Sequence, residues 1–110
     1  MKSLFTLSLI AGSLLAITSI ASADDGKTLF EANCAKCHGA DGKGGTKMGI
    51  KAGCKDFTDA AYQATLSEDK IAKTIKEGFK EGDKTKMKAF PELSADDVKA
   101  LAAYVKTFKK

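Results

Sequence analysis

The chain has 110 residues, 44% of them hydrophobic, with no Trp and a single Pro, so it holds at most one small domain. Its 18 basic residues are all lysine, set against 14 acids for a net charge of +4. Without guanidinium forks to read guanine edges and grip phosphate, nucleic-acid binding is a poor reading, and a mildly basic surface facing acidic protein partners fits better.

In chain order, the first 23 residues stand apart from the rest. Lys2 gives a positive start, Leu4 to Ile20 is apolar apart from small and hydroxyl residues, and Ala21-Ser22-Ala23 closes the run. This is the pattern of a secretory signal peptide with an A-x-A cleavage site. Residues 1–23 are therefore expected to be the signal and residues 24–110 one exported domain. Nothing after Ala23 approaches the roughly 18 apolar residues of a membrane helix, so a periplasmic protein without stable membrane insertion is expected; an uncleaved anchor is the alternative. From Asp24 onward only 18 residues are Val, Ile, Leu, Met, Phe or Tyr. So thin a core points to a staple or filler besides side chains.

A first helix is expected from Asp24 to about Asn33, with Gly26, Leu29 and Phe30 at helical spacing and acids in its first turn. Six glycines between Gly39 and Gly53 predict a loop lying against something. Two further helices carry start signals. Ser67 is an N-cap with Glu68 and Asp69 behind it, Leu66 and Ile71 are placed as a hydrophobic staple, and Gly78 is a stop. Ser94 repeats this with Asp97 at the capping-box position, and Val98, Leu101, Ala102 and Val105 form one apolar stripe reaching about Thr107. Between the two helices, residues 79–92 are expected to be irregular, too charged for a buried strand and closed by Pro91. No segment shows sustained period-two alternation, so the class is all-α with long loops.

Cys34-Ala35-Lys36-Cys37-His38 follows the first helix directly, and C-x-x-C-H is the attachment signature of c-type haem. The two thiols, one turn apart, both reach a porphyrin edge as thioethers, and the adjacent imidazole points at the iron. Export and a thin core fit the same conclusion. His38 is the only histidine, which excludes bis-histidine ligation within one molecule. The sixth ligand is then Met87, Met48, a lysine, Cys54, the new amino terminus or none. Met87 is favoured, because its segment lies between the two capped helices, where it can fold over the far haem face. Met48 sits in the glycine-rich loop close after the motif.

With Gly26 and Phe30, the C-x-x-C-H motif, the glycine-rich loop, Met87 before Phe90-Pro91, and Leu101-Ala102-Ala103-Tyr104-Val105, nearly all of residues 24–110 resembles a monohaem class I c-type cytochrome. The resemblance implies three to five helices around one covalent haem c. It also implies a first and last helix crossing through Gly26 and Phe30 against Leu101 and Tyr104, and His38/Met87 ligation of a low-spin iron. The implied function is a soluble one-electron carrier, not an enzyme, shuttling between redox proteins of a respiratory or photosynthetic chain. Lys84, Lys86 and Lys88, with Lys43, Lys47, Lys51 and Lys55, are candidates to ring the haem edge and steer an acidic partner. Cys54 is an odd thiol in an exported protein. It reads as a buried unreactive side chain in a monomer or as the link of a disulfide dimer.

Three rival readings remain. A zinc site would use Cys34, Cys37, His38 and Cys54, but adjacent Cys37 and His38 converge poorly on one tetrahedral ion. A thioredoxin-like enzyme expects a βαβ pattern that is missing. An open-iron haem enzyme, or an electron-entry subunit of a larger oxidoreductase, would need catalytic groups or domains that the sequence does not contain.

Overall fold

A computed structural model describes residues 23–109. The signal segment expected over residues 1–23 lies outside the described residues, apart from Ala23 itself, the first residue of the first helix.

Helix α1 spans Ala23–Asn33 and α2 is a single turn, Ala35–His38. Four more helices follow: α3 (Lys47–Ala52), α4 (Ala60–Gln63), α5 (Glu68–Glu77) and α6 (Ala95–Lys106). The starts of the two long late helices follow from their caps. Ser67 Oγ accepts from the Lys70 N–H at 3.0 Å. Ser94 Oγ accepts from the Asp97 N–H at 3.1 Å while Asp97 Oδ2 accepts from the Ser94 N–H at 3.3 Å, a complete capping box that satisfies two otherwise orphaned donors. Leu66 packs against the cluster that holds Ile71, as a staple requires.

The core is built on α6, whose Val98, Leu101, Ala102 and Val105 are buried together with Phe30, Phe57, Ile71, Ile75 and Phe90. Helices α1 and α5 both pack on it. The crossing of α1 and α6 is close because Gly26 has no side chain: a Cβ there would overlap the Ala100 carbonyl and lie 2.9 Å from Tyr104 Cβ. One turn later, Phe30 meets Tyr104 with ring centroids 5.3 Å apart. The all-α reading holds for the body of the fold.

The structure departs from expectation at two segments. Residues 79–92 are not wholly irregular: β1 (Phe79–Glu81) and β2 (Lys84–Met87) form an antiparallel hairpin, pairing Phe79 with Met87, Lys80 with Thr85 and Glu81 with Lys84. Gly82, at φ +58°, makes the tight turn, which a two-residue hairpin loop needs. Every residue of β1 is exposed, so the hairpin has no fully buried face to leave a period-two trace in the sequence. The glycine-rich loop also contains α3. It is capped by the Thr46 side chain, which accepts from the Gly49 N–H at 2.9 Å, and it ends at Gly53, whose φ of +75° is the left-handed C-cap conformation. Its one buried residue is Gly49, which carries no apolar side chain to announce a helix.

Candidate functional site

The first helix ends where the motif begins. The Cys34 N–H still donates to the Phe30 carbonyl at 2.8 Å, and the His38 N–H donates to the Cys34 carbonyl at 2.9 Å. The turn of α2 thus presents Cys34, Cys37 and His38 within one helical rise. Gly39, at φ +78°, then breaks the helix, and the chain folds back so that the Gly44 N–H reaches the His38 carbonyl at 2.8 Å.

Helix α3 braces this turn from behind. The Thr46 hydroxyl lies 2.9 Å from the Lys36 carbonyl and 2.8 Å from the Cys37 carbonyl, to which it donates. A Cβ on Gly49 would overlap the Cys37 carbonyl, so only glycine admits so close an approach. The next strut is Phe57. Its N–H donates to the Gly42 carbonyl at 2.8 Å, and its ring stacks on the His38 imidazole at 4.8 Å between centroids and 23° between planes.

All three cysteines are free thiols and half-buried. Burial, and secondarily the nearby Cys37 charge, pushes the Cys34 thiol up to about 11. Burial lowers the affinity of His38 for a proton, so the imidazole is neutral at neutral pH and its lone pair is available to a metal. Burial and then Cys37 raise the Cys54 thiol; burial and then Cys54 raise the Tyr62 phenol. Cys54 therefore sits within electrostatic reach of both Cys37 and Tyr62.

Two free thiols one turn apart beside a neutral imidazole are the donor set that fits a covalently attached haem; the His38 Nδ1 is buried without a hydrogen-bond partner among the described residues. The zinc alternative is not supported: among the described residues no three His, Cys, Asp or Glu side chains come together as a metal site.

The candidate sixth ligands differ in setting. Met87 closes β2, is half-buried, and packs against the same apolar core that Cys34 joins. Met48 lies on α3 and is 47% exposed. The Met87 segment crosses the end of α5 at Gly78, where a Cβ would stand 2.7 Å from the Met87 carbonyl and 2.9 Å from the Ala89 nitrogen. It is fixed to α5 just beyond by the Phe90 N–H, which donates to the Ile75 carbonyl at 2.9 Å.

Sequence reasoning overlooked Phe57 and Gln63. The Gln63 amide, 1% exposed, donates from Nε2 to the Phe57 carbonyl at 2.8 Å and to the Val105 carbonyl at 2.9 Å. The available signal was Asp56-Phe57-Thr58-Asp59, where Asp56 Oδ1 accepts from the Thr58 N–H at 2.8 Å and Asp59 caps α4. Such a turn fixes the backbone around an aromatic residue.

Comparison with known proteins agrees with this geometry. Residues 23–109 match the family described as Cytochrome c. The solved c-type cytochrome KustC0563 is 38% identical, with a TM-score of 0.66 over 78% of this chain and 99% of that one. The cbb3-type cytochrome c oxidase subunit FixP of Azorhizobium caulinodans is 38% identical over 87 residues, covering 78% of this chain and 27% of its own length. FixP of Rhizobium meliloti is 38% identical over 84 residues, covering 73% of this chain and 25% of its own. The chain thus spans about a quarter of the length of these curated relatives. It belongs to the cytochrome c family, electron-transfer proteins with covalently bound c-type haem, and its size and single motif accommodate one.

Proposed function

We propose that the chain is an exported, periplasmic one-electron carrier in which Cys34 and Cys37 would hold haem as thioethers and His38 and Met87 would ligate its iron. The observation that carries this reading is the contrast between the methionines: Met87 faces the core that Cys34 and Phe30 share, while Met48 is 47% exposed. The bound haem supplies a one-electron couple, and the chain's residues set its surroundings. His38 is kept neutral by burial. Met87 offers a soft sulfur, which favours the ferrous ion and raises the potential. Two protein ligands leave no open position for a substrate, which supports a carrier rather than an enzyme.

The test is the far-red methionine-to-iron band of the oxidised protein. Met87→Ala should abolish it and Met48→Ala should leave it intact; the reverse pattern transfers the role to Met48. The signal peptide is tested by the mass of the exported protein, whose first residue should be Asp24.

Similarity to FixP favours a second reading, in which a domain of this kind passes electrons within or to an oxidase. Exposed Lys43, Lys47, Lys51, Lys55, Lys84 and Lys88 support docking on an acidic partner in either case. Lys86 is half-buried and the Lys88 ammonium lies 5.0 Å from the Phe90 ring centroid, so the lysines around Met87 are partly engaged within the protein. The contribution of the remainder should appear as a reaction rate that falls with rising salt; a flat profile would remove it.

A further inference from the structure

A metal-bound imidazole is ordinarily held in one orientation by a hydrogen bond from its second ring nitrogen. His38 departs from this: its Nδ1 is buried without a hydrogen-bond partner among the described residues. What the ring does have is aromatic neighbours. Phe57 stacks on it at 4.8 Å and 23°, and Phe30 lies farther off, at 6.4 Å and 40°. The closer and more nearly parallel ring is the one able to resist rotation of the imidazole plane.

Phe57 is itself held from three sides. Its N–H is donated to Gly42 and its carbonyl receives the Gln63 amide, each at 2.8 Å. Gln63 is anchored in turn to the Val105 carbonyl of α6 at 2.9 Å. The Phe57 ring is backed by Phe108 and Tyr62, each with centroids 6.2 Å away and planes within 22° and 13°. Gln63 leaves its own Oε1 buried and unpartnered, so what the buried amide contributes is its two donor bonds, and these fix the Phe57 backbone to the last helix.

We propose that Phe57 is a positioning residue for His38, setting the rotation of the imidazole by ring stacking, with Gln63 as the clamp that holds Phe57. The inference rests on the reading of His38 as the residue that would ligate the haem iron. In this arrangement the orientation of the ligand is transmitted from α6 through Gln63 and Phe57, and not from the C-x-x-C-H turn alone.

The experiment uses the haem-loaded oxidised protein and its Phe57→Leu, Phe57→Tyr and Gln63→Leu variants. The readouts are the hyperfine-shifted His38 ring resonances, the g values of the low-spin iron, and thermal melting. Phe57→Leu keeps the apolar volume but removes the stack. It is expected to move or split the His38 resonances and shift the g values, whereas Phe57→Tyr keeps the wild-type pattern. Gln63→Leu is expected to give the Phe57→Leu change to a smaller degree. A Phe57→Leu protein that melts earlier but keeps the wild-type resonances and g values overturns the proposal and makes Phe57 a packing residue; so does a Phe57→Tyr protein altered as much as Phe57→Leu. If Phe57→Leu yields no haem-loaded protein, Gln63→Leu decides: a changed pattern supports the proposal and an unchanged one overturns it. Absence of shifted imidazole resonances in the wild type would instead defeat the ligand reading, so the two failures are distinct.

Discussion

The two sides of the candidate haem site are built by different means. On the His38 side, the chain between Cys37 and Gln63 is tied down by bonds between residues well apart in sequence: Gly44 to His38, Thr46 to Cys37, Phe57 to Gly42, and Gln63 to Phe57 and Val105. On the Met87 side, the methionine rides on a short hairpin with an entirely exposed first strand, fixed to the core by the approach at Gly78 and the Phe90–Ile75 bond. The comparison teaches that the His38 side is locked by the fold as a whole and the Met87 side by a local element. Segments with few buried contacts open first, at free energies below that of global unfolding.

The predictions that sharpen this difference run from large to small. Replacing Gly49 by Val should be the most damaging, since its Cβ would collide with the Cys37 carbonyl; a loss of about 3 kcal/mol is expected from overpacking, read by denaturant unfolding. Gln63→Leu should cost about 2 kcal/mol, because the buried Phe57 carbonyl loses its Gln63 donor and the Val105 carbonyl keeps only the longer bond from the Phe108 N–H, partly offset by removal of the unpartnered Oε1. Gly78→Ala should weaken the far-red methionine band more than it lowers the melting temperature, since it displaces the Met87 backbone and leaves the His38 side untouched. In the wild type, that band should disappear at lower denaturant than the helical signal; coincident transitions would show the two sides to be equally fixed.

The smallest expected effect concerns Cys54. Its thiol is raised first by burial, a cause that persists when Cys37 is a haem thioether, so it should be protonated at neutral pH, slow to alkylate, and slow to form a dimer on a non-reducing gel. A group with a raised folded value contributes its stability in full below the ordinary thiol value of 9.0 and loses it as pH rises through the folded value. Alkylation should therefore accelerate only in alkali. Rapid labelling at pH 7 would favour the reading of Cys54 as an intermolecular link over that of an unreactive side chain.

Much of this arrangement was legible in the residues. Ser67 and Ser94 announced α5 and α6 because a cap is a local event, satisfied within three residues. Gly26 and Phe30 announced the crossing with α6 because they matched a family pattern. The hairpin was not legible: its strands bury no complete face, and the register rests on the Gly82 turn and main-chain bonds. Helix α3 escaped notice for a related reason, since its buried position is a glycine.

What the sequence alone determined is therefore what a few neighbouring residues determine: the two thiols and the imidazole on one turn, the capped helices, and a core too thin without a filler. Tertiary structure decided which methionine is half-buried and which exposed, and which ring lies on His38. Burial and ring contact are made by segments far apart in the chain. Phe57 reaches His38 only because Gly42 and Gln63 hold its backbone there, and Gln63 does so only because α6 passes beside it.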